Sequence, residues 1–264
     1  MLSGKPDFQF AAHAHFDPVF LQAAIIDEGN EDVDTQDTYS IALRAGGAFG
    51  LFEEADESFI HGAISYATRD LGDQGTVGFE TEGGVHALAG DIKVQDDAEF
   101  ETDDADQIGV EGAFVYGPWS VQGEYYDVSF DGDTNGAGDI SDTDVDVSAF
   151  YILGSWFITG ESRASNYKSN VGKFDKIKPK GTNGAWEVVA KYEDGEVDPD
   201  NQNSESEYEL LTLGVNWYAT NNVKFMLNYL DIDTDNWDSE DGVPLSALGE
   251  EDGNAVSFRA QYAF

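Results

Sequence analysis

Apolar and polar residues alternate along most of this chain with a period of two. From Asn254 to Phe264, Val256, Phe258, Ala260, Tyr262 and Phe264 interleave with Ser257, Arg259, Gln261 and Ala263, the pattern of a strand with one apolar face. Leu211, Leu213, Val215 and Trp217 form such a face, and so do Val223, Phe225, Leu227 and Tyr229. Only Ala219-Thr220-Asn221-Asn222 separates these two runs, which predicts a hairpin. The unit recurs at Trp186, Val188, Ala190 and Tyr192, and at Trp119, Val121, Gly123 and Tyr125. The latter is joined across Gly117-Pro118 to Ile108, Val110, Phe114 and Tyr116. Further strands are predicted near 58–69 (Ile60, Ile64, Tyr66), near 38–48 (Tyr39, Ile41, Leu43) and near 7–16 (Phe8, Phe10, Phe16). The stretch 144–160 is apolar on both faces, so its register stays open. The segment 75–94, broken by Gly83-Gly84, reads as one bent strand or two short ones. The sum is about 11 or 12 strands and no amphipathic helix.

The connections alternate in length. Linkers at 130–143, 194–207 and 235–252 are long and acidic, whereas those at 117–118 and 220–221 are tight. Long loops at one end and short turns at the other are the layout of an outer-membrane barrel, in which each strand crosses with about 9–11 residues of which half are polar. A soluble acidic β-sandwich, as a lectin-like or calcium-dependent binding module, is the alternative, since Greek-key connections reproduce part of that alternation.

Charge narrows the partners. Fifty-three acidic against 13 basic residues give a net charge of −40 in 264 residues, which excludes nucleic acid as a partner because phosphates call for clustered Lys and Arg. It equally excludes docking on anionic headgroups through a basic patch. Without cysteine there is no disulfide, thiolate metal site or cysteine nucleophile. The longest apolar run, Ala149–Ile158, is about half of a spanning helix, and the first residues, Met-Leu-Ser-Gly-Lys-Pro-Asp, hold no secretory apolar stretch.

If the apolar set of each strand faces lipid, the in-strand basic residues Arg44, Arg69, Lys93, Lys191, Lys224 and Arg259 all fall on the lumen side, together with the acids Asp91, Glu111, Glu124 and Glu187. Exclusion of charge from the lipid face, worth about 2–4 kcal/mol at the midplane, accounts for most of this sorting. The sharper feature is a window from Arg163 to Lys191. It holds seven of the thirteen basic residues, Arg163, Lys168, Lys173, Lys176, Lys178, Lys180 and Lys191, against Asp175 and Glu187 alone, a local charge of +5. Counting crossings back from Phe264 puts 161–182 on the periplasmic side. A basic turn of that length either folds into the lumen, where ammonium groups replace part of an anion's hydration, or lies on the rim as a solvated turn.

Four strings carry a family resemblance: Gly109-Val-Glu-Gly-Ala-Phe-Val-Tyr-Gly-Pro-Trp-Ser-Val-Gln-Gly-Glu-Tyr-Tyr126, Ser155-Trp-Phe-Ile-Thr-Gly-Glu161, Gly172-Lys-Phe-Asp-Lys-Ile-Lys-Pro-Lys180 and Gly184-Ala-Trp-Glu-Val-Val-Ala-Lys-Tyr192. With Leu213-Gly-Val-Asn-Trp-Tyr218 and Asn228-Tyr229 they resemble the phosphate-selective porin O and P family, densely from about residue 107 to 264. The resemblance implies an all-β fold, a transmembrane antiparallel β-barrel of 16 strands in the bacterial outer membrane of a Gram-negative cell. It implies a usual homotrimer, embedded among lipid and lipopolysaccharide, that passes phosphate or related anions such as polyphosphate through a basic-lined constriction shaped by inward-folded segments. No enzymatic activity and no cofactor are implied. Candidate selectivity residues are then Lys173, Lys176, Lys178 and Lys180, with Arg163 and Lys168, in the turn, and Arg44, Arg69, Lys191, Lys224 and Arg259 on the lumen wall. Asp175-Lys176 stands where a Gly-Arg pair is common in the family, and four arginines in total are few for an arginine-lined pore. The family's members are longer and carry a signal peptide, so residues 1–264 are expected to be a single porin barrel domain lacking its N-terminal strands and signal.

Remaining constellations point to solvation. Asp231, Asp233 and Asp235 alternate as in a calcium loop, but Asn236 and Gly242 occupy the positions of the sharp-turn Gly and the bidentate Glu. His13 and His15 share the lumen parity without a third metal ligand nearby. Seven carboxylates in each of 193–207 and 235–252 suit solvated external loops. No nucleophile-base set or phosphate-cradling loop stands out.

Overall fold

The computed structural model describes residues 8–27, 39–51, 58–77, 80–81, 92–93, 100–132, 144–199, 206–235 and 251–263. The alternating stretches form β1 (Phe8–Phe16), β2 (Val19–Asp27), β3 (Tyr39–Gly50), β4 (Ser58–Val77), β5 (Glu80–Thr81), β6 (Ile92–Lys93), β7 (Phe100–Tyr116), β8 (Trp119–Gly132) and β9 (Val145–Phe157). They continue with the two-residue β10 (Tyr167–Lys168) and β11 (Lys173–Phe174), then β12 (Ala185–Pro199), β13 (Ser206–Tyr218), β14 (Val223–Asp235) and β15 (Glu251–Tyr262). Eleven of these make one sheet in the order β1-β2-β3-β4-β7-β8-β9-β12-β13-β14-β15; β5 pairs β6 and β10 pairs β11. Neighbours in the large sheet are antiparallel throughout. With eleven strands, β1 and β15 therefore run in the same direction.

One strand was not legible as a period of two. β2 reads Val-Phe-Leu-Gln-Ala-Ala-Ile-Ile-Asp, almost continuously apolar, and only its pairing with β1 across Asp17-Pro18 and with β3 reveals it. The open register of 144–160 is settled by β8 and β12: Trp156 lies opposite Trp119 and Val188, so Phe150, Ile152 and Trp156 face outward while Ser155 and Phe157 are buried on the other face. The linkers are shorter than the acidic composition suggested, because Asp194–Pro199 and Ser206–Glu207 are paired strand. Asp231, Asp233 and Asp235 likewise belong to β14, so their alternation is strand pleat and not a calcium loop. Gly83-Gly84, Asp91 and the interiors of the connections at 133–143, 200–205 and 236–250 lie outside the described residues.

The two faces differ as the pattern requires. On the outer face Ile64, Val110, Ile152, Leu213, Leu227 and Val256 stand exposed, and no second sheet covers them among the described residues, which removes the β-sandwich alternative. Aromatic side chains border this apolar band. At the short-turn end Trp119 stacks on Trp156 at 4.9 Å, Trp186 on Trp217 at 5.5 Å and Trp217 on Phe225 at 5.4 Å. At the other end the Tyr66, Tyr125 and Tyr192 hydroxyls donate to Asp106, Asp127 and Asp194. Trp119 and Tyr125, like Trp186 and Tyr192, are six positions apart in sequence, about 20 Å along a strand, close to the apolar height of an outer-membrane barrel wall. Beyond the tyrosines Asp194, Glu209 and Asp233 sit in one row across three strands, so part of the negative charge lies on strand extensions outside the apolar band.

The two faces should respond oppositely to charge. Leu227→Arg, at mid-height on the outer face, is expected to cost about 2–4 kcal/mol, and Ser257→Arg, inward-facing on the neighbouring strand, far less. Equilibrium urea unfolding in lipid vesicles checks this; equal costs would contradict the assignment of faces.

Candidate functional site

Between β9 and β12 the chain does not turn tightly but runs through residues 158–184 and lies against the inner face. Its neck is closed by Glu161, only 2% exposed, which accepts the Lys180 backbone N–H at 3.0 Å and the Thr159 hydroxyl. Ser162 then caps a single 3-10 turn, Arg163–Asn166, by accepting the Ala164 N–H at 3.2 Å. The β10–β11 hairpin follows, tied by the Asp175 N–H to the Asn166 carbonyl at 2.8 Å and by Lys168 Nζ to Asp175 Oδ2 at 2.7 Å. The Lys168 ammonium, and next the Lys176 backbone N–H, hold the exposed Asp175 carboxyl below its ordinary 3.8.

Two clamps fix this segment to the wall. Near its neck, Arg163 pairs with the fully buried Glu187 of β12 and reaches Ser155 Oγ at 3.3 Å. Asn216 Nδ2 and the Tyr218 hydroxyl both donate to Glu187 Oε2 at 2.9 Å. Beside them Ile177 packs with Phe157 and Ala185 in a small apolar core, Tyr218 against it. At the far end the hairpin meets β3, β4 and β7. Phe59 contacts the Tyr167 and Phe174 rings at 4.4 and 6.1 Å, the Tyr167 hydroxyl bonds His61 Nδ1 at 2.7 Å, and Arg44 binds the Val171 and Gly172 carbonyls at 3.0 and 3.1 Å.

Four inner-face carboxylates of the wall have described side chains, and each is engaged. Glu111 takes Arg44 and, at 2.6 Å, His61 Nε2. Glu124 accepts the Tyr126 and Tyr151 hydroxyls at 2.7 and 2.6 Å. Glu187 holds Arg163, and Glu193 takes Lys191 Nζ at 2.6 Å, which also lies 4.6 Å over the Tyr151 ring. Against this, Lys173, Lys176 and Lys178 are exposed and form no ion pair through their ammonium groups with a described residue.

The residues picked from the sequence therefore separate into groups. Arg163 and Lys168 are spent on Glu187 and Asp175, and Lys191 on Glu193. Lys180 is exposed, with Nζ 3.3 Å from the Gly160 carbonyl. Lys224 lies 4.8 Å over the Tyr218 ring; with Arg163, Lys176 and Asn222 it lines a cavity of about 200 Å³ between the segment and the β13–β14 turn. Arg69 is half-buried on the inner face and Arg259 is exposed on β15; the side chain of Lys93 is not among those described. His13 and His15 face inward opposite Gln22 and Phe20, and among the described residues no cluster could hold a metal ion. His61, Tyr167 and Glu161 escaped the sequence reading. The available signal was a lone histidine at inner parity beside Phe59, but its partner is 106 positions away.

An eleven-stranded antiparallel sheet with an apolar, aromatic-bordered outer face and an inward-folded basic segment is the wall of an outer-membrane β-barrel. Residues 8–264 match the family described as phosphate-selective porin O and P, and the chain belongs to that family, one of porins and not of enzymes. Porin O of Pseudomonas aeruginosa is 29% identical over 274 residues, covering 94% of this chain and 58% of its own length, so the chain spans little more than half of that relative. Among solved structures, outer-membrane-expressed OmpT of Vibrio cholerae superposes with a TM-score of 0.56 at 15% identity, over 97% of this chain and 65% of that one. The in-vitro folded OmpT gives 0.51 at 14% identity, over 86% and 53%. These two establish the fold alone, and agree with the outer membrane as the location.

Glu187→Ala should leave the partly buried Arg163 without a counter-charge and cost about 3–5 kcal/mol, read in the same vesicle unfolding. The lowered Asp175 carboxyl gives its contact with Lys168 a definite pH response. Because its folded value is depressed, its contribution is complete above the ordinary aspartate range and is lost as pH falls through the depressed value. NMR titration of Lys168→Gln should move the Asp175 midpoint up towards 3.8; an unmoved midpoint would remove the Lys168 contact.

Proposed function

We propose that this chain forms the wall and constriction of a water-filled pore that passes small anions, phosphate or polyphosphate among them, by passive diffusion across the outer membrane. The observation that carries the reading is the balance of paired and unpaired charge on the inner face. Glu111, Glu124, Glu187 and Glu193 on the wall each already hold a cation or two hydroxyls, whereas the ammonium groups of Lys173, Lys176 and Lys178 hold no carboxylate of a described residue. A permeating anion would therefore meet positive charge at the inward segment despite the net charge of −40. Lys180, Lys224 and Arg259 extend that field along the segment and the adjoining wall. Arg44, Arg69, Arg163, Lys168 and Lys191 contribute charge to it at longer range. The acidic rows beyond the tyrosine border act less on the constriction, since exposed charges separated by more than about 8 Å are largely screened at physiological ionic strength.

The remaining features of the whole protein follow the same reading. Residues 1–264 belong to a single barrel domain. An open sheet edge is not tolerated in hydrocarbon, and β1 and β15 run the same way, so an odd number of further antiparallel strands between them restores the even count usual in bacterial barrels; five would make the 16 that the family resemblance implies. Lipid covers the apolar band, lipopolysaccharide the end bearing the long connections, and a homotrimer is the assembly implied by the same resemblance.

Purified protein in planar bilayers, under a salt gradient, tests the permeation reading. An anion-selective reversal potential is expected, with the permeability ratio falling severalfold when Lys173, Lys176 and Lys178 are all replaced by Gln. Absence of conductance would overturn the pore. A cation-selective reversal potential, or an unchanged ratio in the triple variant, would overturn the lysine constriction.

A further inference from the structure

The Arg44 guanidinium has five N–H donors, and the structure accounts for each of them. Nε donates to Glu111 Oε2 at 3.1 Å and Nη2 to Glu111 Oε1. Nη1 donates to Gln22 Oε1 at 3.0 Å and to the Val171 carbonyl at 3.0 Å, and Nη2 reaches the Gly172 carbonyl at 3.1 Å. Two donors hold a wall carboxylate, one a wall amide and two the hairpin of the inward segment. The flat face of the guanidinium is covered as well, lying 4.8 Å from the Phe20 ring centroid. An anion in transit finds no free donor on this arginine.

The partner groups complete the joint. Glu111, ionised and held by Arg44, can only accept, so His61 presents Nε2–H to it; in a neutral imidazole Nδ1 is then an acceptor and the Tyr167 hydroxyl donates to it. One carboxylate thus orients both side chains that grip the hairpin. Gly172 has φ +60, which aims its carbonyl beside that of Val171, and a Cβ there would collide with Phe20 and come within 3.1 Å of Arg44 Nη2.

We infer that Arg44, Glu111 and His61 form a latch, positioning residues that hold Tyr167, Val171 and Gly172 against the wall and so set where Lys173, Lys176 and Lys178 stand. In holding the hairpin Arg44 acts through its forked geometry, which is separate from the charge it adds to the lumen field at longer range. This inference rests on the lysine constriction proposed above for its effect on selectivity, but not for the latch itself.

Arg44→Lys separates geometry from charge, because lysine keeps the charge but has three donors on one atom. Tyr167→Phe removes a single hydroxyl and serves where the first variant fails to insert. The chain contains no cysteine, so Asn170→Cys places a unique spin label at the hairpin tip. In the full-length protein in vesicles the label is expected to be immobile in the otherwise unchanged chain and to gain a mobile component in Arg44→Lys and in Tyr167→Phe. In bilayers the anion-to-cation ratio of both variants should fall severalfold although neither changes the net charge. A label that stays immobile in both variants overturns the latch, and so does a fully retained ratio in Arg44→Lys where the triple lysine variant loses its anion preference. A loosened label combined with an unchanged ratio in the triple lysine variant would keep the latch and reject the lysine constriction instead.

Discussion

Backbone hydrogen bonding in the absence of water governs how this wall is built. In hydrocarbon an unpaired N–H or C=O costs several kcal/mol, so each crossing strand must find partners on both sides, and the eleven-stranded sheet is the consequence. Once the strands are paired, the pleat puts successive side chains on opposite faces. Outward positions are then restricted to Leu, Val, Ile, Ala, Gly and aromatic residues, and charge becomes affordable only inside or beyond the apolar band. The location of Glu111, Glu187 and Lys191 on the inner face follows from that exclusion before any functional demand is made.

The inner face puts this permitted charge to structural use. Glu187 is fully buried and Glu111 partly so, and each would be costly alone, yet each is matched by an arginine and by neutral or histidine donors. Arg163 belongs to the inward segment itself; Arg44 belongs to the wall and reaches the segment through carbonyls. The segment is therefore held at both ends by carboxylate-arginine pairs, with aromatic and aliphatic contacts from Phe59 and Ile177 beside them. A basic stretch that would otherwise repel itself is kept folded because two of its cations, Arg163 and Lys168, are neutralised by carboxylates. The ammonium groups of Lys173, Lys176 and Lys178 remain directed to solvent.

Much of the wall was legible in the amino-acid order. The Tyr116–Trp119 turn and the Tyr218–Val223 hairpin stand where the alternation placed them, and the family strings identified the barrel class. What misled were segments whose local pattern is silent or ambiguous. β2 is apolar on both faces, so only its partners define it. The acidic residues of 193–207 resembled a loop because external strand extensions carry the same polar composition as loops. Among site residues, the excess of lysine at 173–180 was visible as charge, but nothing local distinguished Arg163 or Lys168, which are paired, from Lys173 or Lys178, which are not.

Period-two faces, the alternation of connections, the exclusion of charge from the outer surface and the concentration of cations in one turn can all be read from the amino-acid order, because each is a property of residues close together in the chain. That this turn lies against the inner wall, and that Arg163 and Lys168 are the cations it pairs with carboxylates, emerges only in the folded chain. Those outcomes depend on contacts between Arg44 and Gly172, His61 and Tyr167, or Arg163 and Glu187, pairs 24 to 128 positions apart. The first two require β3 and β4 to lie against the far end of the segment. A carboxylate, a guanidinium and a histidine at inner parity are equally compatible with lining a pore or latching a strap; distance and donor count separated the two.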